Sequence, residues 1–492
     1  MNVLLLYPEF PDTFWSFKHV LKFVRKKSGH QPLGLITVAA LLPVGWNKRL
    51  VDTNVSRLTR SDLDWADLAL ISAINVQSDS AASLIARCRD AGVKVVAGGP
   101  LFIAEHERFE QVDHFVLNEA ELTLPAFLRD LEAGCAQRIY RTEEFADLRK
   151  SPAPRWDLLD LRQYASMGIQ YSRGCPYGCE FCNVTALFGH RPRTKTAEQI
   201  IADLNHLYDR GWRGSVFIVD DNFIGNRKQL KQDLLPALIQ WRRGRKGMPF
   251  NTEVSIDLAD DKELIAMMVE AGFAAVFVGI ETPDDDALRE CNKSHNRNRD
   301  LVECVRRIQR AGLEVQGGFI VGFDSDTPSV FQRQIDFIQR SGIVTAMVGL
   351  LQAPHGTRLY ERLKREGRLL REMHGDNADG STNVVPRMKI KTLRAGYRNI
   401  LSHIYAPHHY YARIQTFLRE YNPPRFASHR DMSDVLALCR SIYHLGIVGS
   451  ERKEYWSLVL STLFKRPRSF ALAIRLAIYG FHFRRVCDLH VR

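Results

Sequence analysis

Residues 171–184 read Tyr-Ser-Arg-Gly-Cys-Pro-Tyr-Gly-Cys-Glu-Phe-Cys-Asn-Val and contain three of the nine cysteines of the chain. Cys175, Cys179 and Cys182 have a C-x3-C-x2-C spacing, and the other six cysteines are scattered singly. The stretch begins at the end of a short apolar run, 168–172, which is typical of a buried strand. Its glycines and its proline suit a tight loop. Thiolates at this spacing on one loop are expected to converge on one metal centre.

Three kinds of site could use such cysteines. A structural zinc site normally has four ligands, and no second C-x2-C or H-x3-H pair occurs nearby. A redox dithiol needs only C-x2-C, which leaves Cys175 without a role. An iron–sulfur cluster fits best, because thiolates are the usual ligands of such clusters. Three thiolates on a four-iron cluster leave one iron open, and an open coordination position is typical of a catalytic metal centre.

Strand and helix patterns alternate regularly after these cysteines, up to about residue 385. Six βα units predict a partial (β/α)6 barrel of the TIM type over residues 167–385, with the active site at the carboxyl ends of its strands. The predicted strands are 168–172, 215–219, 252–255, 275–280, 315–321 and 346–350.

Residues 1–139 show the same alternation in a shorter form, which predicts an α/β domain with a doubly wound, Rossmann-like parallel sheet. Ligands of such sheets bind at the carboxyl ends of the strands. A proline-containing linker is expected over 140–166, and the helical periodicity of 386–492 predicts a C-terminal helical domain. The predicted strands of the first domain are 3–7, 49–52, 68–72, 93–97 and 114–117.

The cysteine spacing, with Phe181 before the last cysteine and a six-unit barrel around it, resembles the radical S-adenosylmethionine (SAM) superfamily. The resemblance implies a [4Fe-4S] cluster on Cys175, Cys179 and Cys182, whose open iron is chelated by SAM. It also implies reductive cleavage of SAM to a 5′-deoxyadenosyl radical that takes a hydrogen atom from an unactivated carbon. The electron is expected to come from an external donor such as flavodoxin or ferredoxin.

Other positions match the superfamily's SAM-binding segments at the ends of barrel strands. The Gly-Gly-Glu that is common after the second strand is missing, and Asp220-Asp221-Asn222 stands in its place. For each acidic residue the alternative is a solvated strand end. The resemblance implies SAM contacts by Phe181, Asp221, Asn222, Glu253, Ser255, Glu281, Gly318 and Ile320.

A doubly wound domain ahead of such a barrel resembles the cobalamin-binding class of the superfamily. The alternative is a domain without a nucleotide ligand, in which glycines only form tight turns. The Asp-x-His-x-x-Gly motif that places a histidine on cobalt in some cobalamin domains is absent, so the lower face of the cobalt is expected to meet water or another side chain. The resemblance implies cobalamin contacts by Pro8, Ser72, Asn75, Gly98, Gly99, Pro100 and Glu119.

Composition and charge add a weaker prediction about partners. The chain has 492 residues, 45% of them hydrophobic, and a formal charge of +12, of which residues 451–492 contribute +6. Residues 469–483 could form a basic amphipathic helix on an anionic membrane or a helix packed in the core. No nucleic-acid-binding module is recognisable. Without a signal peptide or a long apolar run, we expect a cytoplasmic protein with peripheral membrane contact through this basic end.

The order of the three domains resembles that of the hopanoid C-methylases. The leading hypothesis is therefore C-methylation of an unactivated carbon on a hydrophobic or lipid-like small molecule. One alternative is a cobalamin-dependent radical cyclisation, oxidation or rearrangement without methyl transfer. Another is a non-catalytic sensor that binds an iron–sulfur cluster or cobalamin.

Overall fold

The computed structural model describes residues 1–370, 373, 375, 376, 378–424 and 432–491. Two parallel sheets and a group of helices follow one another along the chain. Together they confirm the predicted α/β architecture with a helical C-terminal part.

The first sheet has six parallel strands in the order β2-β1-β3-β4-β5-β6. Alternate residues of β1 lie in two separate apolar cores, Leu4 and Leu6 in one and Val3 and Leu5 in the other. Both faces are thus covered, as parallel sheets require. The strands are β1 (Asn2–Tyr7), β2 (Asn47–Asp52), β3 (Leu68–Ser72), β4 (Lys94–Gly98), β5 (His114–Val116) and β6 (Ile139–Tyr140).

Helices flank this sheet on both faces. The last strand, β6, begins in sequence that reads as the start of the linker, and three short 3-10 turns between 148 and 163 complete the crossing. The helices are α1 (Lys18–Val24), α2 (Leu33–Leu41), α3 (Arg60–Trp65), α4 (Ser78–Asp90), α5 (Pro100–Glu105) and α6 (Ala120–Glu132).

The second sheet has six parallel strands in the order β14-β13-β12-β11-β10-β7, and the β8–β9 hairpin follows β7. Its two outer strands, β7 and β14, are not paired with each other, so the barrel is partial, as predicted. The strands are β7 (Ser166–Ile169), β8 (Ser172–Arg173), β9 (Arg193–Thr194), β10 (Ser215–Ile218), β11 (Phe250–Val254), β12 (Phe273–Glu281), β13 (Glu314–Val321) and β14 (Ala346–Leu350).

A segment of the first domain borders both edges of this partial barrel. Gln31 exchanges two side-chain hydrogen bonds with the backbone of Gly168 in β7, at 2.7 and 2.8 Å. Trp15 Nε1 lies 3.0 Å from the Sδ atom of Met347 in β14. The helices of the barrel are α7 (Val184–Phe188), α8 (Ala197–Asp209), α9 (Arg227–Gln229), α10 (Leu235–Arg242), α11 (Lys262–Ala271), α12 (Asp285–Glu290), α13 (Leu301–Arg310), α14 (Ser329–Ser341) and α15 (Arg358–Arg365).

The last part of the chain is helical. Its final helix is not a surface helix: Ala473 and Leu476 are fully buried, and His482 lies close to the backbone carbonyl of Phe14. The core-packed alternative for residues 469–483 is therefore correct. Among the described residues, no helix is both long and apolar enough to span a bilayer. The helices are α16 (Ile390–Tyr405), α17 (Pro407–Glu420), α18 (Met432–Ser441), α19 (Arg452–Lys465) and α20 (Phe470–Val491).

One glycine in the final helix permits its close packing. A Cβ atom at Gly480 would overlap the ring of Tyr410, which is itself fully buried and donates a 2.7 Å hydrogen bond to the Leu476 carbonyl. We expect Gly480→Ala to lower the free energy of unfolding by about 1–3 kcal/mol, because the buried ring has no room to move. Chemical denaturation of the full chain measures this difference.

Gly34 in α2 is the matched control, since a Cβ atom there would meet nothing within 4 Å. Gly34→Ala is expected to be neutral or to stabilise by up to about 1 kcal/mol, as alanine is the better helix former. Equal effects of the two substitutions would contradict the packing argument.

Candidate functional site

The three clustered cysteines lie on a loop between β8 and α7. The loop turns sharply at Gly174, whose φ of 95° would strain any other residue, and a Cβ atom there would come within 2.8 Å of the Arg191 carbonyl. The Cys175 amide then donates a hydrogen bond of 3.3 Å to the Gly189 carbonyl. All three thiols are free of disulfides and partly exposed.

The donor set of this loop suits a cluster better than a single ion. In the part of the chain that the structure describes, no three cysteine, histidine or carboxylate side chains are grouped closely enough to share one metal ion. The thiols therefore do not converge on a single ion, which argues against zinc. In an iron–sulfur cluster each thiolate binds a different iron, so the ligand sulfurs stay apart. Burial raises the pKa of Cys182 to about 12, so its thiolate needs a metal to replace the proton.

Distant segments hold the loop in place through its middle residues. Glu180 forms a bidentate ion pair with Arg362 of α15, at 3.0 and 3.1 Å. The Glu180 amide donates to the Cys291 carbonyl at 2.9 Å, and the Asn292 side chain donates to the Gly178 carbonyl at 2.9 Å. The loop is thus anchored by residues that lie more than a hundred positions away in the sequence.

The segment after β10 supports the cysteine loop from below. Asp220 is fully buried and accepts hydrogen bonds from the Tyr171 amide and from the amide and hydroxyl of Ser172, at 2.6–2.8 Å. The Asn222 side-chain nitrogen lies 3.8 Å from the Cys175 sulfur, and its oxygen accepts from the Ser255 amide at 3.3 Å. Asp220 is therefore committed to the loop, whereas Asn222 and Ser255 lie beside the thiols as predicted.

Two carboxyl groups line a cavity on the inner side of the barrel. Asp221 and Glu253 are reachable by solvent, yet the surrounding protein removes much of their hydration. This loss raises the pKa of Asp221 to about 6 and that of Glu253 to about 8, with the charge of Asp221 adding to the second effect. Carboxyl groups held in this way offer acceptors to a cationic ligand while avoiding full ionisation as a pair.

The end of β12 holds a buried ion pair between Glu281 and Lys293. Glu281 has a φ of 63°, an unusual conformation for a residue with a side chain, and such strain is concentrated at functional sites. A Cβ atom at Gly279 would come within 2.6 Å of Lys293 Nζ, so the glycine leaves room for the pair. Burial alone would lower the pKa of Lys293, but the Glu281 carboxylate raises it above its usual value.

Lys293 was not expected from the sequence. Its ammonium group also lies 5.9 Å from the centre of the Phe181 ring, which places a positive charge next to the cysteine loop. The polar run 292–300 was the one local signal, since it directly follows a short helix at a strand end.

An apolar group completes the site on the side of the later strands. Phe181 and Ile320 pack against the same buried cluster, which includes Phe323 and Leu351. Gly318 lies next to Phe277, because a Cβ atom there would come within 2.8 Å of its ring. Phe181, Gly318 and Ile320 thus give the site an apolar wall opposite its carboxyl groups.

The predicted cobalamin residues lie at the carboxyl edge of the first sheet. The Pro8 carbonyl accepts hydrogen bonds from Gln77 at 2.6 Å and Asn54 at 3.1 Å. A Cβ atom at Gly98 would lie 2.7 Å from the Val116 carbonyl, and one at Gly99 would lie 2.8 Å from the Ser72 hydroxyl. Close packing within the protein therefore already requires both glycines. Pro100 begins α5.

Asn75 and Glu119 have partners within the protein. The Asn75 side chain donates to Glu105 at 3.0 Å. Glu119 is buried and accepts two hydrogen bonds from Arg193, at 2.6 and 2.9 Å, and one from the Ala146 amide at 2.6 Å. Glu119 thus binds the barrel's β8–β9 hairpin.

A second ion pair crosses the same boundary. Glu121 accepts two hydrogen bonds from Arg173, at 2.9 and 3.1 Å. The two glutamates follow the end of β5, and Arg173 follows the end of β7. The carboxyl edges of the two sheets therefore face each other across this boundary.

Comparison with known families agrees with this geometry. Residues 169–338 match the model of the radical SAM superfamily. Residues 357–492 match a domain of unknown function, DUF4070. The cysteine loop, Glu253 and Glu281 all fall within the first of these matches.

Relatives extend the match to nearly the whole chain. An uncharacterised methyltransferase of Synechocystis sp. is 40% identical over 98% of this chain and 91% of its own length. The hopanoid C-2 methylase of Rhodopseudomonas palustris is 33% identical over 94% of this chain and 90% of its own length. The cobalamin-dependent SAM radical enzyme OxsB, solved with aqua-cobalamin, shares the fold with a TM-score of 0.63 and 14% identity, covering 100% of this chain and 84% of its own. The chain is therefore a radical SAM methyltransferase of the cobalamin-binding class, in one family with hopanoid C-2 methylase.

Proposed function

We propose that this enzyme methylates an unactivated carbon of a hydrophobic, lipid-like small molecule, with a [4Fe-4S] cluster, SAM and cobalamin as cofactors. The observation that carries the proposal is the meeting of the two carboxyl edges across the Glu119–Arg193 and Glu121–Arg173 pairs. Both sheet types bind ligands at these edges. Groups bound to the first sheet and to the barrel would therefore share one space.

The barrel residues have distinct tasks in this proposal. Cys175, Cys179 and Cys182 would hold the cluster, while Asp221, Asn222, Glu253 and Ser255 would bind the polar groups of SAM. When bound, these groups supply a 5′-deoxyadenosyl radical that removes a substrate hydrogen. Lys293, held by Glu281, would keep a positive charge beside the loop, and Phe181 and Ile320 would exclude water from it.

The edge of the first sheet fits a large, partly apolar cofactor. Ile74 is 41% exposed there, between the backbone turns at Ser72 and Asn75. The segments around Pro8, Gly98, Gly99 and Pro100 line the same edge. When bound, cobalamin would supply the methyl group. Glu119 would position the two domains and not contact the cofactor, because its carboxylate is already occupied.

Apolar side chains of the barrel interior favour a hydrophobic substrate. Phe277 lies on the same face of β12 as Gly279 and Glu281, since side chains alternate along a strand. Phe277 contacts Trp15, which also lies against Met347. A hydrophobic substrate also agrees with the kinship to hopanoid C-2 methylase. The electron would come from an external donor of the flavodoxin or ferredoxin type.

Transfer of a labelled methyl group tests the proposal. We expect the anaerobically purified protein, supplied with cobalamin, a reductant, methyl-labelled SAM and a bacterial lipid extract, to place the label in the lipid fraction. S-adenosylhomocysteine and 5′-deoxyadenosine should form together. Deoxyadenosine without any labelled product would instead favour cyclisation, oxidation or rearrangement. Absence of SAM cleavage under strong reduction would favour a sensor.

A further inference from the structure

The helical domain has an unusually apolar outer face. Nine of the eighteen large apolar side chains that are exposed among the described residues lie between 432 and 464. On α19, Trp456, Leu460, Leu463 and Phe464 are exposed, with Phe464 at 79%. Single exposed apolar residues are ordinary on protein surfaces, whereas such a concentration marks an interaction site.

The exposed residues of α19 form one continuous stripe. Trp456, Leu460 and Leu463 follow the i, i+4, i+7 spacing that puts side chains on one side of a helix. The opposite side of the same helix is buried through Tyr455, Leu458 and Val459. The helix therefore has an inner apolar side in the core and a second apolar side that the described protein leaves open to solvent.

A neighbouring segment extends this stripe. Trp456 Nε1 donates a 3.0 Å hydrogen bond to the Gly446 carbonyl, which ties α19 to residues 442–448. Tyr443, Ile447 and Val448 in that segment are 56–63% exposed. We call these three residues, together with the α19 stripe, the 443–464 face.

Basic residues border the 443–464 face at its end. Lys465, Arg466 and Arg468 follow Phe464 directly and are exposed, and Arg452 and Lys453 begin α19. Between 432 and 468 the chain has six Lys and Arg against three Asp and Glu, of which Glu451 is buried in an ion pair with Arg484. Exposed aromatic and aliphatic side chains beside a basic cluster are the pattern of helices that lie on anionic lipid surfaces.

We propose that the 443–464 face docks the enzyme on an anionic lipid bilayer, with Trp456, Leu460 and Phe464 entering the interfacial layer and the basic cluster contacting lipid headgroups. Charge complementarity favours a bilayer over a second copy of this chain, because two copies meeting here would bring their basic clusters together. The membrane contact thus lies in α19 and the preceding segment, whereas the basic residues flanking 469–483 had suggested the buried final helix.

Vesicle sedimentation of the full-length holoenzyme tests this proposal. We expect binding to phosphatidylglycerol vesicles and much weaker binding to phosphatidylcholine vesicles. The double variant Leu460→Glu/Phe464→Glu should lower binding to the anionic vesicles by about tenfold, and Lys465→Glu/Arg468→Glu by a similar factor.

Val44→Glu is the matched control, because Val44 is 98% exposed in the first domain and far along the chain from this face. It should leave vesicle binding unchanged. Cleavage of SAM with dithionite should be unaffected in every variant, so a failure of docking is distinguishable from a failure of the proposed methylation. Failure of the wild-type enzyme to bind anionic vesicles would overturn the proposal. So would a self-associating wild type that Leu460→Glu/Phe464→Glu makes monomeric, since this would identify the face as an interface between copies.

Discussion

Replacing Cys179 with alanine is expected to abolish both the cluster and SAM cleavage. The protein leaves no spare ligand for the cluster on this loop, because Cys175, Cys179 and Cys182 are its only thiols. Iron in the anaerobically reconstituted protein should fall from about four per chain to almost none. The visible absorbance of the cluster should disappear with it, and 5′-deoxyadenosine should drop below detection.

Cys135→Ala is the control for this experiment. Cys135 is also exposed and free of a disulfide, but it lies in the first domain, just after α6. The variant should keep its iron and its SAM cleavage. Full iron content in Cys179→Ala would show that the loop does not bind the cluster through this residue. Thermal unfolding of both variants would show whether the loss reflects the missing ligand or a general loss of fold.

Removing the Glu119 carboxylate is expected to have the largest effect on stability. Arg193 is itself mostly buried, and Glu119→Ala would leave its guanidinium without its partner and the Ala146 amide without an acceptor. Breaking a buried ion pair in this way costs about 3–5 kcal/mol. The expected result is a marked fall in the unfolding midpoint, measured by chemical denaturation without added cobalamin.

A surface ion pair provides the comparison. Glu9 and Lys18 lie 3.0 Å apart but are well exposed, so Glu9→Ala should change the free energy of unfolding by no more than about 1 kcal/mol. The result also separates the two roles considered for Glu119. If Glu119→Ala kept full stability but bound cobalamin weakly, the residue would contact the cofactor, as the family resemblance implied.

The sequence was sufficient for features with a local signal. Both sheets have periodic apolar strands, and the three cysteines have a characteristic spacing, so fold and loop were predictable. Lys293 and Arg362 were not, because their importance depends on Glu281 and Glu180, partners far away in the sequence. Local patterns carry no information about such pairs.

Other positions were found for incomplete reasons. Gly98 and Gly99 were expected to make room for a cofactor, yet neighbouring backbone and side chains already exclude a Cβ atom there. The apolar spacing of 469–483 indicated an amphipathic surface helix. In the structure, nearby helices cover both sides of α20, and only tertiary packing decides between these outcomes.

The bidentate contact between Glu180 and Arg362 has a consequence for modular descriptions of the enzyme. The superfamily match ends at residue 338, and Arg362 belongs to the domain of unknown function that starts at 357. Strand β14, at 346–350, lies between the two matches. A recombinant fragment cut at the end of the superfamily match would lack the barrel's last strand and an anchor of its cysteine loop. Gene fusions and chimaeras that exchange catalytic domains should therefore carry the two segments together, as a single inherited unit.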